Sequence, residues 1–403
     1  MRGKVLLAVL LSYAGFVLVG LTSGSEGVLL LAQIKDYGVD RAVIGITFFV
    51  SSAGFFLASL NTGPLLHRFG FRATMVAGSG AFVLAALYLA TRPTFWVFVA
   101  VQLVVGYAVG LFESVLNAYV AELPDATVLI NRLHAFFGVG ALGGPALAAW
   151  ILTFGSWRTV WLVLALVCVP LGVGFAVCYP PARVAESAGP APGQDEAPPA
   201  AKSGLLGAAL RERGVLLGSA MLAVYVGVEL SVGSWGFSYL VQGRELTQSL
   251  AGYLVSGYWL GLTLGRFLIS PIATRLGWTA TRMMYGCLTG VLVCATLVWL
   301  VPGAALAGVA LALLGFFLGP IFPTTMALAP QMVGARLQST AIGVMNAAST
   351  VGASALPWLA GAIGQSAGVW TLLPYAMALA ALQFVVWRPL ATWIRRANGT
   401  AGT

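Results

Sequence analysis

Glu113 and Asn117 stand four residues apart in an apolar run that begins near Val104, with Gly106 and Gly110 ahead of them. On a helix these positions fall at i, i+4, i+7 and i+11, one stripe with two bare backbone positions and two polar groups. A charge at the bilayer centre costs roughly 2.5 to 3.5 kcal/mol on insertion scales, so the stripe should face a bundle interior or a watery cavity. Two further carboxylates, Glu26 and Glu229, lie in equally apolar surroundings. Burial strips hydration from the charged form of a carboxylate, which makes such a group a natural carrier of a proton. Glu113, Glu229 and Glu26 are therefore the candidates for proton coupling. The competing reading, a carboxyl hydrogen-bonded to a neighbouring helix, weighs most on Glu26. By helical rise Glu26 and Glu229 belong to one half of the membrane and Glu113 to the other, so no direct pairing of Glu26 with Glu113 is expected.

The elements that must hold these groups are membrane helices. Of 403 residues 59% are hydrophobic and 8% charged, against roughly 25% charged in soluble domains. Apolar runs about one bilayer long begin near Val5, Ala42, Thr74, Phe95, Leu133, Thr159, Val215, Ser249, Met283, Ala304, Ser339 and Val369. The expected fold is an all-α polytopic membrane protein of twelve transmembrane helices in two pseudo-symmetric six-helix bundles. The polar stretch 179–213, rich in Pro, Ala and Gly, divides 1–178 from 214–403 and reads as a cytoplasmic disordered linker.

A net charge of +9 would suggest nucleic acid in a soluble chain, but here the positions of the charges decide. With the N-terminus in the cytoplasm, Lys35, Arg41, Arg92, Arg158 and Arg244 lie outside, and the other sixteen of the 21 Lys and Arg lie at or near the inner face. Both termini are then cytoplasmic, and no nucleic-acid partner is expected. The glycosylation sequon Asn398-Gly399-Thr400 falls on the wrong side for use. The basic start, Met1-Arg2-Gly3-Lys4, resembles a signal peptide but should remain as the first span. Three Lys against eighteen Arg, with abundant Ala and Gly, fits a GC-rich bacterial genome and so a bacterial inner membrane. Cys168, Cys178, Cys287 and Cys294 have no metal-ligand spacing and read as packing residues.

The two halves repeat one another. Pro64, Arg68 and Gly70 match Pro271, Arg275 and Gly277 at an offset of 207, and Gly106 and Gly110 match Gly315 and Gly319 at an offset of 209. Gly144-Pro145 answers Leu356-Pro357 at an offset of 212.

The loop after the second span resembles that of the major facilitator superfamily, Gly-x-Leu-x-Asp-Arg-x-Gly-Arg-Arg. Gly63, Leu65, Arg68, Gly70 and Arg72 are in place, while His67 replaces the acidic residue and Phe71 a basic one. The resemblance implies a cytoplasmic gate built on Gly63, Arg68, Gly70, Arg72 and Arg275. Glu122 and Asp125 stand ready to pair with Arg68 or Arg72 in place of the missing acid.

The cavity-lining helices resemble the fucose-galactose-glucose proton symporter family, the fucose permease-like group. Span four has that family's Glu-x-x-x-Asn at Glu113 and Asn117. Span five follows its pattern from Ile130 to Ala141, with His134 at a Gln position and Phe137 at an Asn position. Span seven matches at Tyr225-Val226-Gly227 and Ser234-Trp235, and span ten at Phe322-Pro323-Thr324. Aligning Ala32-Gln33 puts the family's span-one aspartate at Val28. Glu26, two residues earlier, is turned about 200° around the helix and should face the other way.

The resemblance implies a proton-coupled sugar symporter. Sugars are recognised by amide, carboxyl and imidazole groups, with aromatic faces against their C–H surfaces. The candidate substrate-binding residues are Asn117, His134, Tyr225, Trp235, Thr324 and Asn346. The expected partners are a small neutral sugar, a coupling ion (H+ favoured, Na+ the alternative) and the lipid bilayer, with the protein a monomer and no cofactor.

Two rival readings stand beside this one. A drug/proton antiporter would carry Gly-x-x-x-Gly-Pro-x-x-Gly-Gly in span five; Gly140, Gly144 and Pro145 fit, but Ala148 and Ala149 replace the final pair. A non-transporting sugar sensor would need docking motifs that the linker and tails do not carry. Gly138, Gly140 and Gly143 spell a dinucleotide fingerprint, but inside a membrane span rather than between a strand and a helix, so helix packing accounts for them. No phosphate-binding loop and no nucleophile beside a base occur, which leaves enzyme chemistry without a footing.

Overall fold

The structure, a computed structural model, describes residues 2–180 and 199–400, and among them it is helical with no strand. The helices are α1 (Arg2–Tyr37), α2 (Arg41–Ile44), α3 (Ile46–Ala90), α4 (Phe95–Ala121), α5 (Ala126–Ile151), α6 (Trp157–Cys178) and α7 (Pro199–Ala209). They continue as α8 (Arg213–Ser238), α9 (Gln248–Arg275), α10 (Ala280–Leu300), α11 (Ala304–Leu318), α12 (Ile321–Ala327), α13 (Gln338–Ala367) and α14 (Leu372–Thr400). Expected spans two and three are one element, α3, bent at Gly70, whose φ is 72°. Its repeat partner, Gly277, has φ 65° in the turn between α9 and α10. L side chains rarely adopt this backbone, which is why glycine stands at both sites. Spans ten and eleven correspond to α11 with α12, and to α13.

The expected linker is too broad. Tyr179 is buried, its hydroxyl 2.6 Å from the Ser12 hydroxyl, and its carbonyl accepts from Arg72 Nε at 3.0 Å. Residues 199–209 form α7. Leu, Ala and Lys favour helix there, so low complexity does not mean absence of structure. Residues 181–198 of the expected linker lie outside the described residues.

Lipid offers no hydrophobic drive between helices, so close packing of small residues takes its place. Glycine stripes bring backbones together. Gly106 and Gly110 on α4 face Ser51, Phe55 and Ala58 of α3, and their repeat partners Gly315 and Gly319 on α11 face Tyr258, Leu262 and Gly265 of α9. Gly20 and Gly24 bring α1 against Phe137, Gly140 and Ala141 of α5. In the C-terminal set α8 packs on α13 and α14. The N- and C-terminal sets meet where α5 packs on α9, α1 on α8, and α13 on α2 and α3.

The two faces of the seam differ. At the face carrying Tyr37, Arg41 bonds Gln242 at 2.6 Å and Gln365 at 3.3 Å, and Trp358 Nε1 bonds the Ala42 carbonyl at 3.0 Å. Phe48 packs edge-on to Trp235, with ring centres 6.2 Å apart. Deeper in the seam the Ala146 N–H donates to the Ser256 hydroxyl at 3.1 Å. Among the described residues, the hydrogen bonds that join the two sets are all of this group. At the opposite face the expected gate forms no hydrogen bond or ion pair between the sets among the described residues. Arg72 binds the Tyr179 and Val177 carbonyls and so caps α6 within its own set. Arg68 lies 5.1 Å from the centre of the Phe69 ring. Arg68 and Arg72 form no ion pair with Glu122 or Asp125; Arg72 instead satisfies the last carbonyls of α6.

Candidate functional site

Between the sets lies a cavity of about 550 Å³, walled by α1, α3, α4 and α5 on one side and α8, α9, α12 and α13 on the other. It extends toward the face where α3 bends and α13 begins, past Phe56, Ser59, Leu60 and Gly343. Ser23, Ser51, Ser52, Ser234 and Thr350 supply hydroxyls, and Phe48, Phe55, Phe137, Trp259 and Phe322 supply rings. A pocket of this size, mostly apolar with a few convergent polar groups, suits a small polar molecule. A second depression of about 790 Å³, lined by Lys35, Asp36, Arg158 and Gln248, lies on the Tyr37 face. It is larger but holds none of the buried carboxylates, so the central cavity is the candidate site.

Three of the sequence candidates reach this wall: Glu113, Glu26 and Asn346. Glu26 lines the cavity although its two-residue offset pointed it elsewhere. The reason lies in α1, which packs on α5 through Gly20 and Gly24 and on α8 through Gly27, where Gly233 and Ser234 come close. A helix held between both sets has more than one inward face. Neither Glu26 nor Glu113 forms an ion pair among the described residues.

Glu229 does not line the cavity. Its Oε1 is 3.1 Å from an Arg266 guanidinium nitrogen, with the carboxylate side chain 9% exposed and the arginine 30%. Tyr258 donates to the Glu229 backbone carbonyl at 2.9 Å. Arg266 was placed near the inner face by the charge count, yet it lies inside a membrane-spanning helix. The signal for it was in the sequence: one arginine between Gly265 and Phe267 in span eight.

The remaining candidates are set back from the wall. Asn117 donates to the Glu113 carbonyl at 2.9 Å, bonding its own helix. His134 has its ring edge-on to Phe16 of α1, with centres 5.4 Å apart, and does not line the cavity. Tyr225 is fully buried, its hydroxyl beside the Glu229–Arg266 pair and its ring 6.0 Å from Phe322. Trp235 is fixed by its Nε1 bond of 2.8 Å to the Pro357 carbonyl of α13. Thr324 lies on α12, off the wall. Trp259 and Phe322, which sequence reasoning did not select, supply cavity rings instead.

A bundle of membrane helices built from two repeats around a central cavity is the form of a secondary carrier. Comparison with known proteins agrees: the description Major Facilitator Superfamily matches residues 5–357 and 247–400. The chain belongs to the Major Facilitator Superfamily. It is similar to Bypass of stop codon protein 6 of Saccharomyces cerevisiae, 25% identical over 381 residues, covering 88% of this chain and 76% of that protein. It is similar to a glucose/galactose transporter of Brucella abortus biovar 1, 26% identical over 334 residues, covering 78% of this chain and 77% of that one. Among solved structures it resembles the nucleoside transporter NupG, with a TM-score of 0.76, 16% identity and coverage of 97% of this chain and 99% of that one.

Proposed function

We propose that this protein carries a small neutral sugar together with a proton, by alternating access between two six-helix halves, in the inner membrane of a bacterium and as a monomer. The observation that carries the reading is two carboxylates without ion-pair partners among the described residues, Glu26 and Glu113, on a mostly apolar cavity wall that also carries hydroxyls and aromatic rings. Hydroxyls and Asn346 suit a sugar's hydroxyls, rings suit its C–H faces, and a carboxylate that can be neutralised suits a proton. The likeness to a glucose/galactose transporter supports the cargo class. With the N-terminus cytoplasmic, as the charge bias favours, the cavity opens inward.

In the proposed cycle Glu113 takes a proton from outside, sugar binds to the neutral site and the halves close around both. Opening inward releases sugar and proton. Glu229, already committed to Arg266, is not part of this carrier set.

The test is charge movement in proteoliposomes on adding hexoses, deoxyhexoses and pentoses, with and without a pH gradient and with sodium exchanged for potassium. A sugar-evoked inward current that needs the pH gradient is expected. A current that follows sodium would assign the coupling ion to Na+. Silence across the panel from folded protein would overturn the sugar reading in favour of drug/proton antiport, for which the phenylalanine-rich wall would serve amphipathic cargo. In Glu113→Gln, pH-driven accumulation should vanish while exchange stays measurable; unaltered pH-driven uptake would remove Glu113 from the mechanism.

A further inference from the structure

Behind the central cavity a smaller space lies wholly inside the N-terminal set. It holds about 30 Å³ and carries six polar side chains on its wall: Glu26 and Gln33 of α1, Thr47 and Ser51 of α3, Gln102 of α4 and Trp161 of α6. Glu26, Phe48 and Ser51 line both spaces and so form the partition between them. Gln33 is 4% exposed, Gln102 6% and Trp161 1%. Among the described residues neither glutamine amide takes part in a hydrogen bond, and the Trp161 indole N–H is buried without a partner. Thr47 donates to the Ile44 carbonyl at 2.7 Å, which leaves its oxygen able to accept.

A buried amide left unbonded is costly, and internal water is the usual means of satisfying such groups. One water needs roughly 10 to 15 Å³ by this measure, so the pocket has room for about two. Its wall mixes an N–H that only donates, a carboxylate that only accepts when ionised, and amides that do both. Water answers all three, whereas a cation would have no use for the indole N–H.

Glu26 is the one titratable group on this wall. The charged groups within the helices packed against α1 are engaged elsewhere. Glu113 of α4 is on the central wall, His134 of α5 stands against Phe16, and Glu229 of α8 is held by Arg266 of α9. Arg41 of α2 bonds Gln242 and Gln365, and Arg158 of α6 lines the depression on the Tyr37 face.

Because one set supplies every wall, rocking of the two sets against one another would leave this pocket intact while reshaping the central cavity. We propose that the pocket is a standing water site that solvates the Glu26 carboxylate from behind at every stage of the cycle. The charged form of Glu26 is then tolerated inside a closed seam without an ion pair. The inference rests on the symport reading, in which the empty carrier returns with its coupling carboxylates ionised.

Two measurements test it. Hydroxyl-radical labelling by X-ray radiolysis marks side chains that touch water, whether bulk or bound. Trp161 should be labelled despite its burial, while Phe82, equally buried in the same set and on neither wall, should not. An unlabelled Trp161, or equal labelling of the two, overturns the water site. In Gln33→Leu/Gln102→Leu, which replaces two unbonded amides by apolar side chains of similar size, the Trp161 label should disappear. In proteoliposomes with D-glucose and D-galactose the same variant should keep exchange, which needs no empty return. Its net uptake driven by a pH gradient should fall about tenfold or more relative to exchange. A merely structural role would lower both rates together; that result, or an unchanged ratio, overturns the role given to the pocket. Gln102→Asn, which keeps an amide, should retain the parent ratio, and should the double variant not fold, Gln102→Leu alone carries the test. If the wild type shows no proton-driven uptake of either sugar, the symport reading falls, and the labelling still decides the water site. Proton-driven uptake in the wild type with an unchanged ratio in the variant overturns this inference alone.

Discussion

Glu229 is a buried carboxylate whose charge is already answered by Arg266, and that distinguishes it from Glu113, the other proton-coupling candidate that the same sequence argument drew from an apolar span. Removing one member of a buried pair strands the other, at a cost of about 3 kcal/mol. Glu229→Gln should therefore lower the unfolding midpoint in detergent, whereas Glu113→Gln, on a cavity wall without an ion pair, should leave it nearly in place. Equal midpoints for the two variants would mean that Arg266 finds water as readily as it finds Glu229. Residue types told where polarity enters the membrane, and so Glu113 and Asn346 were legible. They did not tell what each group meets. Trp235 looked like a sugar platform, but its indole N–H is taken by the Pro357 carbonyl; Tyr225 lies behind Phe322 rather than on the wall. Arg266 went unread because a count of charges by membrane side assigns every arginine to a side, including one that lies between them.

At the scale of elements, the repeat was legible because its constraints are steric. Gly70 and Gly277 share a positive φ, and Gly106 and Gly110 do on α4 what Gly315 and Gly319 do on α11. A Cβ on Gly315 would collide with the Tyr258 carbonyl and stand 3.0 Å from the Leu262 nitrogen, with backbone that cannot swing aside. Gly315→Ala should force α11 off α9 and sharply reduce the yield of monodisperse protein. Gly80→Ala, with nothing within 4 Å of the added carbon, is the control and should express normally. Similar yields for the two would mean that the helices separate without loss. The orientation of Glu26 was not legible at this scale, since it depends on α1 being clasped by both α5 and α8.

At the scale of the whole molecule, the closed face is held by few polar ties, and they converge on Arg41. Its guanidinium bonds Gln242 and Gln365, its backbone N–H bonds Gln365 at 3.2 Å, and its Nε is buried without a partner. A hydrogen bond to a charged group is worth about 1.5 to 3 kcal/mol. On the proposed alternating-access reading, with two forms a few kcal/mol apart, loss of these ties should shift the balance about tenfold or more toward the form closed at the other face. Arg41→Ala tests this with spin labels at Leu60 and Gly343, which line opposite sides of the cavity toward its open end, after replacement of Cys168, Cys178, Cys287 and Cys294. The label-to-label distance should move from a long population to a shorter one without substrate. A distribution identical to that of the parent would mean that aromatic packing at Phe48, Trp235 and Trp358, rather than the Arg41 bonds, keeps this face shut. Phe48→Ala would then be the variant expected to release it, because the Phe48 ring packs across the seam against Trp235.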